Sequence, residues 1–515
     1  MKLTAKIYTL AEKTVLLCGM IIFAFLSYIA FRYSIDITNM SIIYDSFIMN
    51  SAFVLAVFIL LGVLYFLIKR FPVWGKRILL ILVCIWCGVI CYLWITGAKN
   101  SPQGDQYCVY TLAVWSSVND LKAVVPVDSY LSLYPHQAGI ILIYEALIRL
   151  FSIKSDLPFQ YMNIFYVLLM VVSGYKITEK LFHNLRTTLC FLLLSALCFP
   201  FLLYTPFVYG DVPSIGLVFF CGWMLLELIQ HLGKLPYMFC FGIPALFSIA
   251  LAILYRKNSM IFAVACIIVL FTCFLKTHRI SLLIMAFVLF VVSSSAIPAA
   301  EAFYEHRAEN TMGAGVSSFA FVAMGMQEGG AACGWWNGFN SDTYMNANYD
   351  SAAEITVSKA SIAASIATFK KDPSYFKDFY FNKIVTQWTD PNYSGFYALQ
   401  NNNGYRSSFA ESLFTGTLHD TVMETMDCYQ FLIYFFTLLY CIQNLFGKKK
   451  RGDNTLAGEI FLVTVIGGFL FTIIWEANSR YTLPYLVMMI PFAASGLAEV
   501  QSFISMRLFA RANNS

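Results

Sequence analysis

Apolar runs about as long as a bilayer is thick recur along the chain, and no soluble fold accommodates them. A helix needs about 20 apolar residues to cross the hydrocarbon layer, and segments such as 15–31, 51–67 and 78–95 approach that length with almost no charge. Of the 515 residues, 59% are hydrophobic and only 12% are charged, which is too little polar surface to clothe a water-soluble core of this size. Inside lipid a segment must satisfy its own backbone hydrogen bonds, so these runs are helices. The expected fold class is an all-α polytopic membrane protein.

Positive charge at the span ends then sets the direction of each crossing. Lys2, Lys6 and Lys13 place the N-terminus in the cytoplasm, Lys69, Arg70, Lys76 and Arg77 mark the return after the second span, and the third leads outward to Asp105. The next apolar piece, 137–151, carries Glu145 and Arg149 at a salt-bridging helical spacing and is too short to cross comfortably. It is expected to lie at the outer interface, which leaves Lys176, Lys180 and Arg186 in the cytoplasm after 161–175. Further spans are expected at 189–205, 212–229, 237–254, 260–275, 280–299, 429–445, 460–475 and 484–500, with Lys234, Lys276, Arg279, Lys448, Lys449, Lys450, Arg451, Arg507 and Arg511 inside. That makes about twelve spans with both termini cytoplasmic.

The expected organisation is three N-terminal spans in 1–97, an extracytoplasmic loop with interfacial helices in 98–158, spans four to nine in 159–299, an extracytoplasmic loop domain in 300–426, and the last three spans with a cytoplasmic tail in 427–515. The large loop reads as two helices split at Asp372-Pro373, surrounded by turns rich in Gly, Asn and aromatic rings. The net charge of +5 is dispersed in clusters between spans, so no nucleic-acid-binding stripe exists and the bilayer is the expected partner. The 14 cysteines fall mostly inside spans; Cys84, Cys87 and Cys91 share a helical face with no histidine at ligand spacing and read as small apolar fillers. Cys108 and Cys333 fall outside the membrane, where pairing is chemically open to them.

Chemistry concentrates at the outer span ends. Asp105 follows Ser101-Pro102-Gln103-Gly104, and Asp211 follows Tyr209-Gly210 directly before a span. A carboxylate at a lipid boundary costs several kcal/mol if it is desolvated and unpaired, so each position calls for a reason. For Asp105 the structural reason is a turn after Pro and Gly, and for Asp211 it is a helix N-cap. Arg256, Lys257 and Arg480 sit at outer span ends against the positive-inside bias. They serve either as phosphate ligands or as snorkelling side chains, with Glu476 beside Arg480 as an ion-pair partner. In the outer loops, Tyr134, His136, Trp335, Trp336 and Trp388 offer the rings and polar groups that sugars bind, or else simply pack the loop.

Taken together, the acid in the first outer loop, the Tyr134-Pro135 element before a short amphipathic helix, the second acid after an outward span, the Arg256-Lys257-Asn258 turn and the closing Arg480-Tyr481-Thr482-Leu483-Pro484 resemble the GT-C-fold membrane glycosyltransferases. The pattern is similar to protein O-mannosyltransferases and aminoarabinose transferases, which use polyprenyl-phosphate sugars. Pro135-His136-Gln137 departs from the Pro-Pro-Leu usual there, and two extra spans precede the usual first one.

The resemblance implies transfer of a sugar from an outward-facing polyprenyl-phosphate donor to a hydroxyl of a cell-envelope glycan, lipid or protein, with inversion. Asp105 is then the general base, and Asp211 orients the acceptor or assists that base. Arg256, Lys257 and Arg480 hold the departing phosphate. Tyr134, His136, Trp335, Trp336 and Trp388 contact the acceptor or sugar. No cofactor is expected; a divalent metal is less favoured because a monophosphate donor needs less charge compensation and the first loop has no paired-Asp motif. Two rivals remain open: a polysaccharide polymerase of the O-antigen type, whose loop would use Arg307, Lys370, Lys371, Lys377, Lys383 and Arg406, and a lipid-linked oligosaccharide flippase or transporter.

Overall fold

The computed structural model describes residues 2–36, 41–44, 47–121, 124–126, 129–231, 235–330, 332–447 and 458–512. Lys234, Lys448, Lys449, Lys450 and Arg451, expected at span ends, and the loop acid Asp128 lie outside the described residues. The protein is an all-α polytopic membrane protein. Among the described residues, 10 helices are long and apolar enough to cross a membrane, from Lys6–Arg32 to Leu483–Met506. The described residues also hold a short antiparallel hairpin, Tyr33–Asp36 with Ser41–Tyr44, whose Ile35 amide donates to Thr389 O at 3.3 Å.

Two of the twelve expected spans are shorter than a bilayer crossing: Leu185–Ala196 and Ile460–Ile474. The first breaks before Phe199–Leu203, where Pro200 sits in the first turn. Proline lacks an amide proton and forces the preceding helix to end. The freed carbonyls are taken up by indoles of the third helix, Trp86 Nε1 to Ala196 O at 3.0 Å and Trp94 Nε1 to Leu203 O at 2.8 Å. The turn that follows is held by buried amides: Asn163 Nδ2 donates to Thr205 O and Phe207 O, Asn100 Nδ2 to Pro206 O, and Gln106 Oε1 accepts from Val208 N. This lattice fixes Tyr209 and Asp211.

The helix Ala138–Phe151 has 14 residues. Its Glu145 is 3% exposed and collects Arg149 Nε at 2.8 Å, Arg307 Nη1 at 2.9 Å and Tyr304 Oη at 2.7 Å. Both guanidinium groups continue to Ser116 O and Asn119 Oδ1. A buried carboxylate with this many donors is fully compensated, and it ties this helix to Asp105–Ser117 and to the end of Ile280–Ala308.

That last helix runs on past residue 299, so the large loop starts after Ala308 and closes at His419–Phe446. Within it Ser351–Lys371 and Pro373–Trp388 meet at Asp372, whose carboxylate caps the second helix by accepting from Ser374 N and Tyr375 N at 3.0 Å. Arg307 joins the Glu145 cluster, and Lys383 is buried.

Basic residues gather at one end of the bundle. Lys76 pairs with Glu179, Lys180 with Glu227 at 2.8 Å, Arg186 Nη1 donates to Ser502 Oγ at 2.7 Å, and Lys276 lies over the Tyr8 ring. The cavity described next is at the other end.

Candidate functional site

Asp105 is the first residue of its helix, after Gly104 at φ 51°, a left-handed value that glycine adopts readily. Its side chain is 45% exposed; Tyr130 Oη donates to Oδ1 at 3.1 Å, and Arg480 Nη2 lies 3.9 Å from Oδ2.

Arg256 ends the helix Ile243–Tyr255, and Lys257 opens the turn Lys257–Ser259 into the next span. Gly210 packs so tightly on the Tyr255 carbonyl that any side chain would collide with it, and this close approach brings Asp211 against Arg256. Asp211 and Arg256 form a buried ion pair, 0% and 8% exposed. The Arg256 guanidinium also lies 5.5 Å from the Tyr481 ring centre. Arg480 is sandwiched among Phe207, Tyr209 and Tyr481 at 5.4–5.7 Å, an arrangement suited to a planar cation.

These groups converge on a cavity of about 430 Å³ lined by Asp105, Tyr134, His136, Arg256, Lys257, Trp336, Glu476 and Arg480, together with Tyr130, Gln137, Tyr209 and Tyr481. That size suits a small-molecule site. His136 is held neutral, its pKa lowered to about 3 by burial and by the Lys257 charge. Burial pushes the Glu476 carboxyl up to about 7, with Tyr481 Oη donating to Oε1 at 3.2 Å. Behind it Lys383 is lowered to about 7 by burial and donates to Gly325 O and Trp475 O.

Seven of the ten residues singled out from the sequence line this cavity, and three do not. Asp211 is sealed behind Arg256, paired with that guanidinium and outside the cavity lining. Trp335 is 6% exposed and donates to Thr386 Oγ1 at 3.0 Å. Trp388 is fully buried, stacked on Tyr485 with Nε1 3.3 Å from Thr472 Oγ1, and offers no face to a sugar. Sequence reasoning missed Glu476, treated only as a partner for Arg480, and Tyr130, the hydrogen-bond donor to Asp105. The signal for each was adjacency, to Arg480-Tyr481 and to Tyr134-Pro135. Cys108 and Cys333 are free thiols.

The fold and the site together define a polytopic membrane protein with a charged cavity at one end of its helical bundle. No family model matches the chain, and no curated protein matches it. Among solved structures, the archaeal oligosaccharyltransferase AglB from Archaeoglobus fulgidus, in complex with an inhibitory peptide and a dolichol-phosphate, is similar with a TM-score of 0.45 and 14% identity over 86% of this chain and 52% of its own. An apo form of the Archaeoglobus fulgidus oligosaccharyltransferase has a TM-score of 0.45 and 16% identity over 85% and 52%. A form tethered to an acceptor peptide containing the NVT sequon has 0.45 and 11% over 85% and 51%. The chain thus spans about half the length of those proteins.

Proposed function

We propose that this protein is a membrane glycosyltransferase of the GT-C type that moves a sugar from a polyprenyl-phosphate donor to an acceptor hydroxyl with inversion. The observation that carries the reading is the convergence of an ion-paired acid, Asp105, with three cations, Arg256, Lys257 and Arg480, in one cavity at a lipid boundary. In the proposed step the acceptor oxygen bonds to the anomeric carbon as the bond from that carbon to the phosphate oxygen breaks. The acceptor proton passes to Asp105, and the electron pair leaves with the polyprenyl phosphate, whose charge the three cations stabilise. Asp211 holds Arg256 in place for this task. We further propose that the cavity faces outward, because the basic residues at the other bundle end match the cytoplasmic side by the positive-inside rule. The division into 1–97, 98–158, 159–299, 300–426 and 427–515 remains the proposed domain plan, with the helices Ile280–Ala308 and His419–Phe446 each extending from its span into the 300–426 part.

The test is reconstitution in liposomes containing a radiolabelled polyprenyl-phosphate sugar and an envelope extract. Release of polyprenyl monophosphate, addition of one sugar to the acceptor and an unchanged rate in EDTA are expected. Transfer of whole repeat units would instead mark a polymerase, and lipid movement without bond formation a transporter.

A further inference from the structure

The cavity is chemically two-sided. Its cations come from the span ends, while the large loop and the Trp475-Glu476 segment contribute Trp336, Asn340, Phe321 and a second carboxylate. Trp336 is 58% exposed although it lines the cavity, so its ring is not consumed by packing. Glu476 is the reverse: only 6% exposed, with Tyr481 donating to Oε1. Among the described residues none donates to Oε2, and no cation lies within ion-pair range of the group. Lys383, the nearest buried cation on the loop side, spends its ammonium on the carbonyls of Gly325 and Trp475. The unused oxygen faces the cavity, where a ligand hydroxyl can donate to it.

We propose that Glu476 and Trp336 form a sugar subsite for the acceptor, in which the C–H face of a pyranose lies on the Trp336 ring and one or two of its hydroxyls donate to Glu476 Oε2. The chemistry narrows the ligand class. Phosphate is repelled by Glu476, and an ammonium is repelled by Arg480 and Lys257, whereas a neutral ring with hydroxyl donors and an apolar face suits both walls. The word acceptor rests on the transferase reading; the sugar subsite itself does not, and the acceptor becomes a glycan rather than a protein or a plain lipid.

The experiment is saturation-transfer NMR on the full chain in nanodiscs, without donor, using the methyl glycosides of glucose, galactose, mannose and N-acetylglucosamine. At least one glycoside is expected to bind in the millimolar range. At pH 8.5, where Glu476 is ionised, Glu476→Gln should weaken it about tenfold, the loss of one charge-assisted hydrogen bond, with partial recovery in Glu476→Asp. Trp336→Ala should abolish the signal and Trp336→Phe retain it, while Tyr405→Ala, 93% exposed and away from the cavity, should bind as the wild type does. Failure of every glycoside to bind, or equal binding by wild type, Trp336→Ala and Glu476→Gln, would overturn the subsite. Because no donor is present, either result is independent of whether the protein transfers sugar.

Discussion

Arg480 Nη2 stands 3.9 Å from Asp105 Oδ2, bringing the start of the helix Asp105–Ser117 and the start of the last long helix to one point. In the proposed reaction the pair places the base and a phosphate ligand within reach of the same substrate. A substrate phosphate would compete for Arg480 and free the Asp105 oxygen as it binds.

Arg256 is tied into the fold as well as the cavity, so its loss is not a clean removal of one phosphate contact. Breaking a buried ion pair by removing one partner costs about 3–5 kcal/mol. Arg256→Ala and Asp211→Asn should therefore each lower the melting temperature and expression along with turnover, in contrast to a simple surface cation. Asp211→Leu combined with Arg256→Met should recover much of the stability and none of the transfer rate. Single variants that melt with the wild type would contradict the pairing, and an active double variant would remove Arg256 from the phosphate site.

The two loop tryptophans should separate stability from binding. Trp388→Ala opens a void in a packed interior and should cost about 3–5 kcal/mol, with the KM for acceptor unchanged in the protein that remains folded. Trp336→Ala should melt like the wild type. Equal thermal loss in both variants would mean that Trp336 is a packing residue after all.

Stability should respond to pH through Glu476 and Lys383 with opposite signs. Burial raises the Glu476 pKa from 4.5 to about 7, so its contribution is full below pH 4.5 and is lost as pH rises through 7. Burial lowers Lys383 from 10.5 to about 7, so its contribution is full above pH 10.5 and is lost as pH falls through 7. Because the neutral His136, lowered to about 3, opposes the Glu476 limb below pH 6.5, each limb is read by difference: the melting temperature of the wild type relative to Glu476→Gln should fall by a few degrees from pH 4.5 to 7, and relative to Lys383→Met it should climb from pH 7 toward 10. Glu476→Gln should flatten the first limb and Lys383→Met the second. Unchanged slopes in these variants would place the titration elsewhere.

The membrane fold was legible because span length and charge asymmetry are local properties. The short helix Ala138–Phe151 could be set aside from the spans by its length and its Glu145–Arg149 pair alone. The break at Pro200 was legible only in part, since the indoles of Trp86 and Trp94 that make it tolerable come from another helix. In the site, Asp105, Arg256, Lys257 and Arg480 stood out because charge at a span end is conspicuous. What stayed hidden was pairing across the fold. Asp211 looks like a free acid until Gly210 brings it to Arg256, and Trp388 looks like a sugar platform until Tyr485 covers it. Glu476 looks like a counter-ion for its neighbour until Tyr481 turns out to hold it in the cavity wall.

The most direct test of the account is the transfer rate of Asp105→Asn, measured beside the binding of a polyprenyl-phosphate sugar donor. Asn keeps the shape and hydrogen-bonding reach of Asp, including acceptance from Tyr130, but has no comparable basicity. Loss of a general base lowers the rate about 100- to 10,000-fold, so Asp105→Asn should transfer that much more slowly while binding donor almost normally. Asp120→Asn, whose exposed side chain lies outside the cavity, should transfer sugar near the wild-type rate. Transfer by Asp105→Asn at close to the wild-type rate would contradict the assignment of the base and, with it, the proposed reaction at this cavity.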